Sequence, residues 1–236
     1  VVTAIGNTAT ADLNLDGTVY TTDGATTFTA VSGGTIDLGG SSPTFTTSAD
    51  TITFGTADVK VANGTLTVNS VGGLIDFEGS ILGTSDEVLV LNADGSGTDA
   101  ASANEKVIVA AIGSGDQIHS VSITGRDGIT LEGNITTSNK ASNNVSFTGP
   151  VSINAATVAI DTDATGNDGT VTFSSTIDST TGTSRNLDIV SATGNVTVTG
   201  AIGATTALAS LDINQAGGDG DITLTSNIGP DTSAPT

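Results

Sequence analysis

Cysteine, methionine and tryptophan are absent from this chain, and histidine, tyrosine and proline are scarce, at one, one and four residues in 236. Without cysteine there are no disulfides, thiolate metal sites or cysteine nucleophiles. A lone histidine, His119, rules out a two-histidine metal site, and no sequence feature sets it beside a serine and an acid. Six phenylalanines and one tyrosine leave a sugar-stacking platform poorly supplied. Basic residues are also few: Lys60, Lys106, Arg126, Lys140 and Arg185 face 25 acids, for a net charge of −20. Such a charge repels phosphate backbones and anionic lipid, which excludes nucleic-acid binding and favours divalent cations or basic partners. No apolar run reaches the roughly 18 residues of a spanning helix, and no signal peptide is visible. Among the acids only Glu78, Glu87, Glu105 and Glu132 are glutamates, so 25 − 4 leaves 21 aspartates. Aspartate closes turns by bonding nearby backbone, whereas glutamate favours helix, so the imbalance points to turns and strands.

What the chain does contain is a short apolar phrase, repeated: Ile129-Thr-Leu131, Val151-Ser-Ile153, Val171-Thr-Phe173, Val196-Thr-Val198 and Ile222-Thr-Leu224. The starts are 22, 20, 25 and 26 residues apart. A second set alternates with it: Val145-Ser-Phe147, Val158-Ala-Ile160, Leu187-Asp-Ile189 and Leu211-Asp-Ile213. Self-similarity at this period marks a repeat architecture. Each unit reads as a few short strands with period-2 alternation, joined by Gly, Asn and Asp turns. One unit cannot bury its apolar side alone, but a stack can. The fold expected is all-β, a right-handed parallel β-helix (β-solenoid) with coils of roughly 20–26 residues. The 31 glycines and a hydrophobic content of 36% suit a thin, elongated core.

Three divisions are expected. Residues 1–35 are the least regular and form an N-terminal cap or the first coils. Residues 36–229 form the solenoid, with a polar insertion at 92–106 that shows no alternation. Residues 230–236 form a linker or disordered tail. The chain starts at Val1 rather than Met, and its last residues include prolines. A processed chain or an excised piece of a longer protein is therefore expected. Stacking at about 4.8 Å per coil would give nine coils a length on the order of 45 Å. Residues 129, 151, 171, 196 and 222 would form one inward column, and 131, 153, 173, 198 and 224 a second. Thr130, Ser152, Thr172, Thr197 and Thr223 would then form a single outward file.

The phrases Val171-Thr-Phe-Ser-Ser-Thr-Ile177, Val196-Thr-Val-Thr-Gly-Ala-Ile202 and Ile222-Thr-Leu-Thr-Ser-Asn-Ile228 resemble the β-solenoid repeats of secreted bacterial surface proteins. These are the filamentous-haemagglutinin-like adhesins and autotransporter passenger domains. The resemblance covers roughly residues 36–229 and implies a solenoid fold and a location outside the cell. Neither a secretion domain nor a terminal membrane barrel accompanies it in this sequence.

Calcium is the sharpest candidate chemistry. Asp12, Asn14, Asp16, Thr18 and Asp23 place oxygens at positions 1, 3, 5, 7 and 12 of a loop with Gly17 at position 6. A hard cation takes such an oxygen cage, and the glycine permits the sharp turn. This spacing resembles the loop of EF-hand-like and dockerin modules, without flanking helices and with Asp23 in place of the usual Glu. The bland alternative is a strand, an Asp-Gly turn and a strand. A weaker oxygen cluster spans Asp161, Asp163, Thr165 and Asp168, and Gly217-Gly-Asp219-Gly-Asp221 reads as a plain turn. Asp188 and Asp212 are expected to stack one coil apart on an outer face, as a like-charged pair or as two solvated carboxylates. The Thr-x-Thr pairs Thr197/Thr199 and Thr223/Thr225 resemble the threonine faces of ice-binding solenoids. The next copies along the phrase offer Ser174, Asn154 and Glu132, so a broken array and a merely solvated threonine face are expected. Asn63, Asn134, Asn144 and Asn195 lie in Asn-x-Ser/Thr sequons.

The functional expectation is a non-catalytic structural protein of the cell exterior or surface: a segment of adhesin, filament or surface-layer polymer. Its partners would be further copies end to end, neighbouring repeats of a longer chain, or surface glycans. The competing class is a carbohydrate-binding or carbohydrate-cleaving β-helix, which the scarcity of rings and histidine disfavours.

Overall fold

The computed structural model describes residues 3–7, 9, 11–48, 50–84, 86–94, 104–214 and 217–230. Among these residues every regular element is a short β-strand, and every strand pairing is parallel. The chain winds as a solenoid of about nine turns with three faces per turn. The first face is an eight-stranded sheet from Thr3–Gly6 to Ile177–Ser179, extended by the bridges Ile177–Ile202 and Ile202–Ile228. The second face comprises two four-stranded sheets, Leu13–Leu15 to Ile81–Leu82 and Ile135–Thr136 to Ser210–Ile213. They are joined through the single residue Ile112, which bridges Ile81 and Ile135. The third face is an unbroken nine-stranded sheet from Val19–Thr22 to Ile222–Leu224. Strands Thr3–Gly6, Leu13–Leu15 and Val19–Thr22 thus lie at the start of all three faces. The first-face column climbs from Thr26 to Ile52, Ile75, Val107, Ile129, Val151 and Ile177. The longest interval in it, from 75 to 107, contains the polar insertion. Residues 95–103 of that insertion and residues 231–236 of the tail lie outside the described residues.

The alternation of the sequence becomes alternation across the wall of the coil. On Thr65–Ser70, for example, Leu66, Val68 and Ser70 are buried while Thr65, Thr67 and Asn69 face outward. Stacking then places equivalent side chains about 4.8 Å apart up the axis. Tyr20, Phe45, Val68, Leu91, Ile123, Phe147, Phe173, Val198 and Leu224 form one such column inside the third face. Phe28, Phe54 and Phe77 form another inside the first face, with ring centroids 5.0 and 4.4 Å apart. Phe45 meets Phe28 and Phe54 edge-on across the core. The offset and edge-on geometries suit ring quadrupoles and add to the area they bury.

The columns differ from those the repeated phrase predicts. Ile129 and Val151 stack on the first face and continue to Ile177, whereas Val171, Val196 and Ile222 stack on the third, above Val145. The outward file splits likewise: Thr130 and Ser152 lead to Asp178, while Thr172, Thr197 and Thr223 sit above Ser146. The reason is that all three faces ask for the same local pattern, two inward apolar residues around one outward polar residue. A phrase therefore reports that it is a strand but not which face it occupies.

Corners are closed by side chains that reach one coil along. Thr35 N–H donates to Asp12 Oδ1, Thr170 N–H to Asn144 Oδ1, Ser191 N–H to Asn214 Oδ1 and Asp221 N–H to Asn195 Oδ1. At one corner Gly169, Gly194 and Gly220 lie in file, and a Cβ on any of them would collide with the carbonyl oxygen of the coil beneath. The Gly-Asp-Gly run ending at Asp221 is thus explained by coil stacking.

Candidate functional site

The candidate calcium loop is drawn out along the coil. Asp12 and Asn14 belong to the second face, where Asn14 is the register partner of Asp37. Asp16 and Thr18 lie at the corner beyond it, and Asp23 follows the third-face strand Val19–Thr22. Asp12 Oδ1 accepts from the N–H and hydroxyl of Thr35 at 3.0 and 3.2 Å, and Asp23 Oδ1 accepts from the Ser48 hydroxyl at 2.7 Å. Gly17 N–H donates to the Tyr20 hydroxyl at 2.7 Å. Extended strands carry these five side chains past a corner and along two faces. Among the described residues no group of three or more acidic or histidine side chains is arranged to hold a metal ion.

The second cluster is also held by local bonds. Burial raises the Asp161 carboxyl above its ordinary range, opposed by the bond that Asp161 Oδ1 accepts from Asp163 N–H at 3.0 Å and reinforced by the charges of Asp163 and Asp188. Asp168 accepts from the hydroxyl and N–H of Thr193, which lower its carboxyl. Asp188 and Asp212 are register partners on the second face, stacked one coil apart as expected. His119 is tied by Nε2 to the Ala141 carbonyl at 3.0 Å.

Several charged groups escape a reading of the sequence alone. Glu87 and Glu105 are fully buried. The Glu87 carboxylate is satisfied by Thr84 N–H, the Thr84 hydroxyl and Asp86 N–H, and so folds the 83–87 loop on itself. Glu105 meets Arg126 one coil on, at 3.2 Å. On the outside of the first face, half-buried Asp76 lies between Thr53 and Ile108, and its carboxyl is pushed up to about 6 by burial and then by Glu78 and Glu132. Glu78 could be anticipated two residues along the strand. Glu132, two coils away, requires the register.

A groove of about 530 Å³ crosses the second face where the two sheets meet. Asp37 and Lys60, register partners, line one side, and Thr84, Asp116 and Gln117 line the other. Its wall mixes these polar groups with Val61 and Ala62 and has no ring.

The third face is different in kind. Two files of outward residues run nine rows deep along it, from Val19-x-Thr21 to Thr223-x-Thr225. Backbone bonds from Ser174 to Phe147, Thr199 to Phe173 and Thr225 to Val198 carry the register to the end. Of these 18 positions 14 are Ser or Thr, two are Asn, two are Val, and none is charged. Asn154 and Glu132, which would break the array, belong to the first-face turns and do not enter it. Ser174 does enter it, beside Thr172, and the array is continuous as Ser or Thr from Ser122-x-Thr124 onward.

The chain matches no protein-family model, no curated protein and no solved structure. Among the described residues no helix is long and apolar enough to cross a membrane.

Proposed function

We propose that this chain is a non-catalytic structural segment of a cell-surface or extracellular protein of the adhesin, filament or surface-layer kind. The observation that carries this reading is the continuous ladder of parallel backbone hydrogen bonds through about nine coils around one enclosed core. A ladder of this type resists bending and shear because each coil is bonded along three faces to its neighbours. Each sheet ends in open strand edges, which can template a further coil. Ile222 and Ile228 in the last coils are 47% and 60% exposed. A second copy stacked end to end, or a neighbouring repeat, would cover such residues. The repeat phrases that resemble filamentous-haemagglutinin-like adhesins and autotransporter passengers support the same class, as does the Thr-, Asn- and Asp-rich composition without cysteine.

Electron microscopy of the purified chain at rising concentration tests this reading. Filaments or end-to-end multimers are expected; isolated short particles at every concentration would refute self-association. The groove lined by Asp37, Lys60 and Asp116 supports a second reading in which a surface glycan is bound. Turnover in a glycan-depolymerisation screen would replace the non-catalytic reading with an enzymatic one.

A further inference from the structure

We propose that the third face of the last five coils, from Ser122-x-Thr124 to Thr223-x-Thr225, is an adsorption surface for ice. The inference stands apart from the structural role, since a face can adsorb whether or not the ends polymerise.

Geometry comes first. The two outward residues of a row are two positions apart on a strand, about 6.6 Å, and successive rows are about 4.8 Å apart. Register pairs place seven of these ten positions, and Ser174, Thr199 and Thr225, just past the strand ends, are held in row by backbone bonds to Phe147, Phe173 and Val198, so that the ten form a two-dimensional grid. The row spacing lies close to the short oxygen repeat of hexagonal ice. All ten positions are Ser or Thr. β-branched threonine is stiff about χ1, so its hydroxyl and methyl keep fixed places in the grid.

Chemistry points the same way. Among the described residues, eight of the ten hydroxyls have no hydrogen-bond partner in the protein; Ser174 and Thr225 bond to backbone carbonyls. The eight must be satisfied by water, and a regular grid of donors, acceptors and methyls imposes its own order on that water. A charged side chain would impose a competing hydration shell. In a chain of net charge −20 the ten positions hold no charge, while the first and second faces carry Asp76, Asp178, Asp37, Asp188 and Asp212 outward. A crystalline polysaccharide is the less suitable occupant. Sugar rings are gripped by exposed aromatic faces, and here all six phenylalanines are buried while Tyr20 stacks on Phe45. A protein partner would want large apolar or arginine anchors, and the grid has neither.

The test is ice-affinity partitioning together with inhibition of ice recrystallisation, using the whole chain. Incorporation into growing ice and arrest of grain coarsening are expected. Thr172→Lys and Thr197→Lys, made separately and shown by circular dichroism to melt as wild type, should each reduce incorporation to the level of an inert protein. Thr130→Lys on the first face should leave it unchanged. Exclusion of the folded wild-type chain from ice, or equal incorporation of Thr172→Lys and wild type, would overturn the proposal. Adsorption to crystalline cellulose or chitin without adsorption to ice would overturn it too and would assign the face to polysaccharide.

Discussion

The first four coils and the last five solve the same packing problem with different side chains. The early coils fill the core with rings: Tyr20, Phe28, Phe45, Phe54 and Phe77 form a connected set of stacked and edge-on pairs. The later coils rely on columns of Ile, Val and Leu, with Phe147 on Phe173 as the one stacked pair among the described residues there. Outside, the order is reversed. The early rows of the third face are interrupted by Val90, Asn69 and Asn92, whereas the later rows are uniformly hydroxylated. A ring fills the coil interior with one residue and tolerates irregular neighbours. An aliphatic column needs every coil to match the one below, and the same demand for register regularises the outer face.

The comparison can be broken most severely in the later half. Val198→Asp places an unpaired carboxylate in the core column between Phe173 and Leu224 and should cost more than about 4 kcal/mol. Because each coil contacts only its neighbours, the loss should be confined to the terminal coils. Hydrogen exchange should show Val196–Val198 and Ser210–Ile213 unprotected while Thr65–Ser70 stays protected. Loss of protection throughout would mean the halves are one cooperative unit. Phe77→Ala probes the early half. It removes the ring stacked on Phe54 at 4.4 Å and should cost about 3–5 kcal/mol in chemical denaturation.

Asp76→Asn should sharpen the contrast at the surface. The folded-state pKa of about 6 lies above the ordinary 3.8. The protonated acid is therefore the form favoured by folding, its contribution is complete below 3.8, and it is lost as pH rises through 6. The amide should stabilise the protein at pH 7 by an amount on the order of 1 kcal/mol, discounted because the site is half exposed. Below pH 3.8 the gain should vanish. Equal melting midpoints for the two proteins at pH 7 would remove the carboxylate interaction.

The smallest effect belongs to the exposed turn of the later half. Asp178 and Ser179 are strand residues and Asn186 starts the next strand, which confines the turn to the residues between them. Asp178 also accepts from Thr205 and Thr206 N–H one coil on. Three glycines inserted between Gly182 and Thr183, where residues 181–184 are exposed, should cost under about 1 kcal/mol.

These differences show which features were legible before any coordinates. The solenoid was, because Val171-Thr-Phe173 and its relatives carry period-2 alternation that only stacking can bury. Face assignment was not: Val151-Ser-Ile153 and Val171-Thr-Phe173 share one pattern yet belong to different sheets. That error hid the threonine grid, since Asn154 and Glu132 were aligned with a face they do not share. The acids were misjudged for a related reason. Composition places carboxylates in water, but Glu87 is buried by bonds to its own loop and Glu105 by an arginine one coil away.

Coil stacking itself is open to direct measurement, because the chain has no cysteine to interfere with labelling. Thr44→Cys and Thr197→Cys put spin labels on one face, six coils apart by register. Pulsed dipolar resonance should give a narrow distribution centred at roughly 29 Å, six spacings of about 4.8 Å. A broad distribution, or one centred below about 20 Å, would contradict a solenoid stacked at that spacing.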